Sequence, residues 1–120
     1  MATYVVLYRF TPEGAKNIRT TVTRARQTRK ENEARGFKIQ SVHWTQGPYD
    51  MVAIVDAPSE EAMMGAMANI AAAGNVTSTT LRAFDEKAMD AALKRAAPAR
   101  RAAPAKRAAS RRKAPARRKR

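Results

Sequence analysis

Cysteine is absent from all 120 residues, which excludes disulfides, thiol catalysis and thiolate metal sites. Histidine occurs once, so most imidazole-based metal cages are excluded as well. No run approaches the ~18 consecutive apolar residues that a membrane span requires. The N-terminal MATYVVLYRF lacks the basic start and small-residue cleavage site of a secretory signal, which predicts a cytoplasmic protein. Aromatic residues make up 6% of the chain and none follows Phe84, so the C-terminal segment cannot stack on bases. Acidic residues are missing from residues 94–120, where 13 basic residues lie. Residues 1–93 hold 11 basic and 10 acidic residues, so the net charge of +14 belongs almost wholly to the tail. A body of this size buries only a thin core, for which self-association would compensate. The expected organisation is a folded domain over 1–93 and a Lys/Arg/Ala/Pro-rich tail over 94–120.

Thr3–Phe10 is β-branched and aromatic, which predicts a strand covered on both faces. Thr11-Pro12-Glu13 reads as a helix start, with Thr11 as N-cap and Pro12 in the first helical position. Ala15, Ile18, Val22 and Ala25 recur at helical spacing, predicting one apolar stripe on a helix that Gly36 closes near Arg35. Phe37–Thr45 predicts a second strand whose apolar phase slips between Ile39 and Val42, the mark of a β-bulge near Gln40-Ser41. Gln46–Asp50 is turn chemistry, and the apolar run Met51–Val55 then returns as the other arm of a hairpin. Ser59 caps a second helix with Ala62, Met63, Ala66, Met67 and Ile70 on its buried side, ended by Gly74-Asn75. Val76–Phe84 predicts a fourth strand, and residues 85–95 one more short helix with acids early and bases late.

The order β-α-β-β-α-β predicts an α+β fold, a ferredoxin-like sandwich with both helices on one face of a four-stranded antiparallel sheet. The other face must meet water or a partner. Its expected aromatics and threonines favour pairing of two sheets face to face, and hence a homo-oligomer.

The stretches YVVLYRFTPEGAKNI (4–18), WTQGPYDMVAIVDAPSEEA (44–62) and GNVTSTTLRAF (74–84) together resemble the GYD domain family, named for a Gly-x-Tyr-Asp type motif. The resemblance spans roughly residues 2–90 and implies a fold akin to dimeric α/β-barrel proteins, without supplying an activity. Some dimeric α/β-barrel proteins are cofactor-independent oxygenases or isomerases, so the resemblance also implies an alternative, a small cofactor-free enzyme. The tail lies outside the match and is similar to the basic tails of linker histones and some bacterial nucleoid proteins.

The candidate site in the body is His43, Trp44, Tyr49 and Asp50, with Tyr49 or Arg9 as a polar clamp. An imidazole and a carboxylate beside two aromatics suit a small planar or carbonyl ligand, with His43 or Asp50 as base. The competing structural reading has Gly47 and Pro48 making the turn, Tyr49 and Trp44 stacking across the hairpin and Asp50 accepting backbone N–H groups. No phosphate-cradling glycine motif occurs, so no cofactor is expected. His43 and Asp50 are too few to hold a metal. In the tail, Arg100, Arg101, Lys106, Arg107, Arg111, Arg112, Lys113, Arg117, Arg118, Lys119 and Arg120 are the expected contacts to nucleic-acid phosphates. With no large apolar residue to drive ordering, the tail is expected to be disordered when free. Binding without sequence preference and association with the nucleoid are the corresponding expectations.

Overall fold

A computed structural model describes residues 1–96, in which the chain divides into two compact units, Met1–Ala83 and one that begins at Phe84. The first unit runs β1 (Ala2–Phe10), α1 (Pro12–Lys16), a 3-10 turn (Ile18–Thr20), α2 (Thr21–Ala34), β2 (Lys38–Trp44), β3 (Met51–Ala57), α3 (Glu60–Ala73) and β4 (Val76–Ala83). The second holds α4 (Glu86–Arg95), whose N-cap Asp85 accepts the Ala88 N–H at 2.8 Å and whose last turn carries Lys94 and Arg95. The tail cations assigned to phosphate contacts, Arg100 to Arg120, lie outside the described residues.

The four strands form one sheet in the order β2-β3-β1-β4, antiparallel throughout. With helices α2 and α3 this is the ferredoxin-like α+β sandwich that the element order predicts. The register between β2 and β3 shifts between Ile39 and Ser41, which places the bulge where the apolar phase slips. One sheet face carries Tyr4, Val6, Tyr8, Ile39, Met51, Ala53 and Val55, which join Phe37, Met63 and Ala66 in the core. The α3 stripe falls where its spacing places it: Met63 and Ala66 are buried, and Ala62, Met67 and Ile70 pack against them. Its ends are set by Ser59, which accepts the Ala62 N–H at 3.0 Å, and by Gly74, whose φ of 77° only glycine adopts without strain.

The first helical segment departs from expectation. Thr11 caps α1 by accepting the Gly14 N–H at 3.1 Å, but α1 stops at Asn17 and a 3-10 turn intervenes before α2. The Asn17 carbonyl is held there by the Thr20 N–H at 3.1 Å and by the Arg24 guanidinium at 2.8 Å. A 3-10 turn advances three residues per turn rather than 3.6, so the helix re-enters with a rotated phase. Ile18 and Val22 are therefore exposed, at 47% and 41%, instead of buried. The inward stripe of α2 is Thr21, Ala25, Thr28 and Asn32, which is small and polar.

A close approach pins α1. The Thr11 N–H donates to the Asn75 carbonyl at 3.1 Å and its hydroxyl donates to the Gly74 carbonyl at 2.6 Å, drawing the α3–β4 junction over Gly14. A Cβ on Gly14 would sit 1.9 Å from the Asn75 carbonyl oxygen, so backbone must move. Gly14→Ala is expected to cost about 2–3 kcal/mol of stability, the range of an overpacked contact, measured as a lowered urea midpoint.

Candidate functional site

Strand pairing sorts the remaining side chains onto the sheet face that no helix of the first unit covers. Cross-strand rows there run Lys38-Asp56-Thr3-Ala83, Ser41-Ile54-Val5-Leu81 and His43-Val52-Leu7-Thr79, with Arg9 opposite Thr77 beyond them. The middle of this face is aliphatic: Val5, Leu7, Val52 and Ile54 are half-buried and Leu81 is 46% exposed. Within the first unit, β1 is thus covered on one face only, not both. The open face carries threonines as expected, but Tyr4, Tyr8 and Phe10 lie on the helix side, because they share the even-numbered phase of β1 with the core residue Val6.

The two ends of the open face carry different groups, a Lys38–Asp56 cross-strand pair at one and Arg9 at the other. At one end Asp56 accepts the Thr3 hydroxyl at 2.5 Å and the Gln40 amide at 3.0 Å. The Thr3 hydrogen bond outweighs slight desolvation, and with help from Gln40 and Lys38 it holds the Asp56 carboxyl below its ordinary range. At the other end the Arg9 guanidinium lies 4.9 Å from the centre of the Tyr49 ring.

The five candidate residues do not converge on one pocket. His43 and Trp44 are consecutive in β2 and so point to opposite faces. His43 is exposed on the open face, while the Trp44 indole donates to the Thr21 hydroxyl at 3.1 Å on the helix side. Asp50 is tied to β1: its N–H donates to the Tyr8 carbonyl at 2.8 Å, and its carboxylate accepts the Phe10 N–H at 2.8 Å. Thr45 closes the loop, its N–H reaching the Asp50 carbonyl at 2.9 Å and its hydroxyl the Tyr49 carbonyl at 2.5 Å, and Gly47 supplies a φ of 121°. The Gly-Pro-Tyr-Asp segment thereby clamps the β2–β3 turn to the end of β1. Asp50→Ala leaves the Phe10 N–H without its acceptor and is expected to cost about 1–3 kcal/mol. Asp50→Asn, which keeps an oxygen acceptor, should cost less. Denaturant titration of the two variants separates the hydrogen bond from the charge.

A cavity of about 350 Å³ lies on the opposite side of the sheet, between α2 and α3. Its floor is Val6, Tyr8, Met51 and Ala53, its wall Met63, Met67 and Ile70, and its roof the polar stripe of α2. None of His43, Trp44, Tyr49, Asp50 or Arg9 lines it. Sequence reasoning missed this space. Its signal was the 4-3-4 spacing of Thr21, Ala25, Thr28 and Asn32, side chains too small to fill the gap over a sheet.

Burial at the cavity floor pushes the Tyr8 phenol up to about 12. Unfolded tyrosine ionises near 10, so between those values the unfolded chain sheds a proton that the folded chain keeps. Tyr8 therefore contributes a loss of stability as pH rises from about 10 to 12, worth about 2–3 kcal/mol. Tyr8→Phe should remove that part of the alkaline slope in paired denaturant curves.

The fold and the clamp define the chain first as a ferredoxin-like α+β protein with one open sheet face. Residues 4–93 match the GYD domain, and the chain belongs to that family. It is similar to the glutamine synthetase and cystathionine beta-lyase binding protein of Thermus thermophilus, at 30% identity over 95 residues that cover 78% of this chain and 100% of that protein. Among the described residues no helix is long and apolar enough to cross a membrane.

Proposed function

We propose that the body is a self-associating binding module rather than an enzyme, and that two copies meet through the open sheet face. The aliphatic centre of that face carries the reading. Val5, Leu7, Val52, Ile54 and Leu81 form one contiguous patch of the kind that monomers rarely leave in water. The charged ends support a second copy as its occupant. Asp56, beside Thr3, and Arg9 are separated by about 20 Å along β1, at ~3.3 Å per residue. A two-fold axis lying in the interface and running across the strands brings Asp56 of the Lys38–Asp56 end of one copy toward Arg9 of the other. Sedimentation velocity of the full chain at about 0.3 M salt, where tail charges are screened, tests this. A monomer across the range from 1 to 100 μM, about the span in which a standard interface assembles, overturns it.

The partner class follows from the relative: the Thermus protein is named for binding glutamine synthetase and cystathionine beta-lyase. A metabolic enzyme is the partner proposed for this chain, tested by titrating purified glutamine synthetase at the same salt. The alternative, a cofactor-free enzyme working from His43 and Asp50, has less support, since Asp50 is engaged by the β1 backbone.

A second reading concerns the tail and is favoured by its 13 basic residues with no acidic one. We infer that it holds nucleic-acid phosphate without sequence preference, from Arg100 to Arg120, and so brings the assembled body to the nucleoid. Nine of those 13 cations are arginine, the residue suited to bidentate phosphate contacts.

A further inference from the structure

The cavity under α2 is unlike an ordinary packing defect. Defects of that kind are lined by apolar groups and hold nothing polar. Here two polar side chains, each 9% exposed, line the space: the phenol of Tyr8 and the carboxamide of Asn32. Among the described residues the Tyr8 hydroxyl has no hydrogen-bond partner. The Asn32 carbonyl oxygen accepts from the Arg35 guanidinium at 3.4 Å, which leaves its amide N–H₂ as the available donor. A buried polar group without a partner is costly, so such groups mark a place where something is bound.

Their chemistry fixes the kind of molecule. With its pKa pushed up to about 12, the phenol stays protonated at neutral pH and can donate. The Asn32 amide donates as well. Arg24, Arg29 and Arg35 line the same space with one acid, Glu31; Arg29 is paired with Glu33 at 3.5 Å and Arg24 is held by the Asn17 carbonyl, so they set a positive rim rather than free ligands. The remainder is aliphatic and thioether surface from Val6, Met51, Ala53, Met63 and Ile70. The volume lies within the span of small-molecule sites, roughly 300–1,000 Å³.

We propose that this cavity binds a small organic carboxylate, its apolar body lying on the sheet between α2 and α3 and its anionic head accepting a hydrogen bond from Tyr8. The site is separate from the open sheet face, so ligand and second copy bind independently. The polar α2 stripe then has a reason: leucines at Ala25 and Thr28 would fill the space and close the site.

Decanoate and 1-naphthoate serve as probes, with decanol as the uncharged control. Each is titrated into the full chain at about 0.3 M salt, which screens the tail, and followed by calorimetry and by amide NMR shifts. Decanoate or 1-naphthoate is expected to saturate at one per chain, shifting the amides of Tyr8 and of α2. Decanol should bind about tenfold or more weakly, and Tyr8→Phe should weaken the carboxylate by a similar factor. Ala25→Leu fills the cavity, so it should abolish binding while leaving the melting temperature equal or higher. Failure of both carboxylates to bind overturns the proposal. So does equal binding of decanol and decanoate, or binding that survives both variants. If Ala25→Leu is poorly folded, Tyr8→Phe and the decanol control decide alone.

Discussion

Ile54→Asp is expected to leave the protein monomeric where the wild type pairs, weakening self-association more than about a thousandfold. Ile54 stands in the central row of the open face, between Ser41 of β2 and Val5 of β1. Within the first unit Ile54 is half-buried on a face that no helix of that unit covers, so a carboxylate there keeps part of its hydration and the fold is expected to lose about 1–2 kcal/mol. In a two-fold assembly the same substitution occurs twice at the centre of the interface. Each unpaired buried charge costs several kcal/mol, and no cation of the partner lies opposite, because Arg9 and Lys38 sit in the end rows. Light scattering on wild type and variant at about 50 μM, together with their melting curves, makes the comparison. A wild type that is already monomeric, or a variant that stays paired, removes the open face as the interface. Arg9→Glu offers a graded version: it should weaken pairing by about tenfold, and the loss should shrink as salt rises.

Much of the fold was legible because its determinants are local. Thr11, Ser59 and Asp85 cap helices through their own side chains, and Gly36 and Gly74 occupy left-handed positions at helix ends. The bulge at Gln40 was visible because an inserted residue flips the alternation that the hairpin otherwise keeps. The α2 phase was not legible, since it depends on a 3-10 turn fixed by Arg24 reaching back seven residues to the Asn17 carbonyl. Once that turn is in place, Ile18 and Val22 face outward and threonine and asparagine face the core. The candidate residues divide for two reasons. His43 and Trp44 could have been separated on period alone, for neighbours in a strand never share a face. The role of Asp50 could not, because its acceptor bond to Phe10 joins residues 40 apart in sequence. The two surfaces proposed to bind, the aliphatic open face and the cavity, are assembled from several strands and helices, so neither leaves a contiguous motif.

Truncation after Arg95 is expected to abolish binding of duplex DNA in a gel-shift assay at about 0.1 M salt and to leave the assembly state unchanged. The reason lies in where the charge is. The body over 1–93 is near neutral overall, with 11 basic and 10 acidic residues, so it adds little net attraction for a polyanion beside the tail. The tail supplies eleven cations beyond Arg95. Engaging roughly eight phosphates gives a slope of about −7 for log K against log salt. Between 0.05 and 0.2 M salt that slope amounts to a loss of about 10⁴ in affinity, larger than any single substitution in the body should produce. Pairing of the body adds a second tail to the same duplex and raises avidity without a new contact. Ile54→Asp should therefore lower apparent affinity for long duplex while affecting short duplex, which accommodates one tail, much less. Retention of DNA by the truncated chain would move the phosphate contacts into the body. A salt slope near zero would show that the attraction is not ionic.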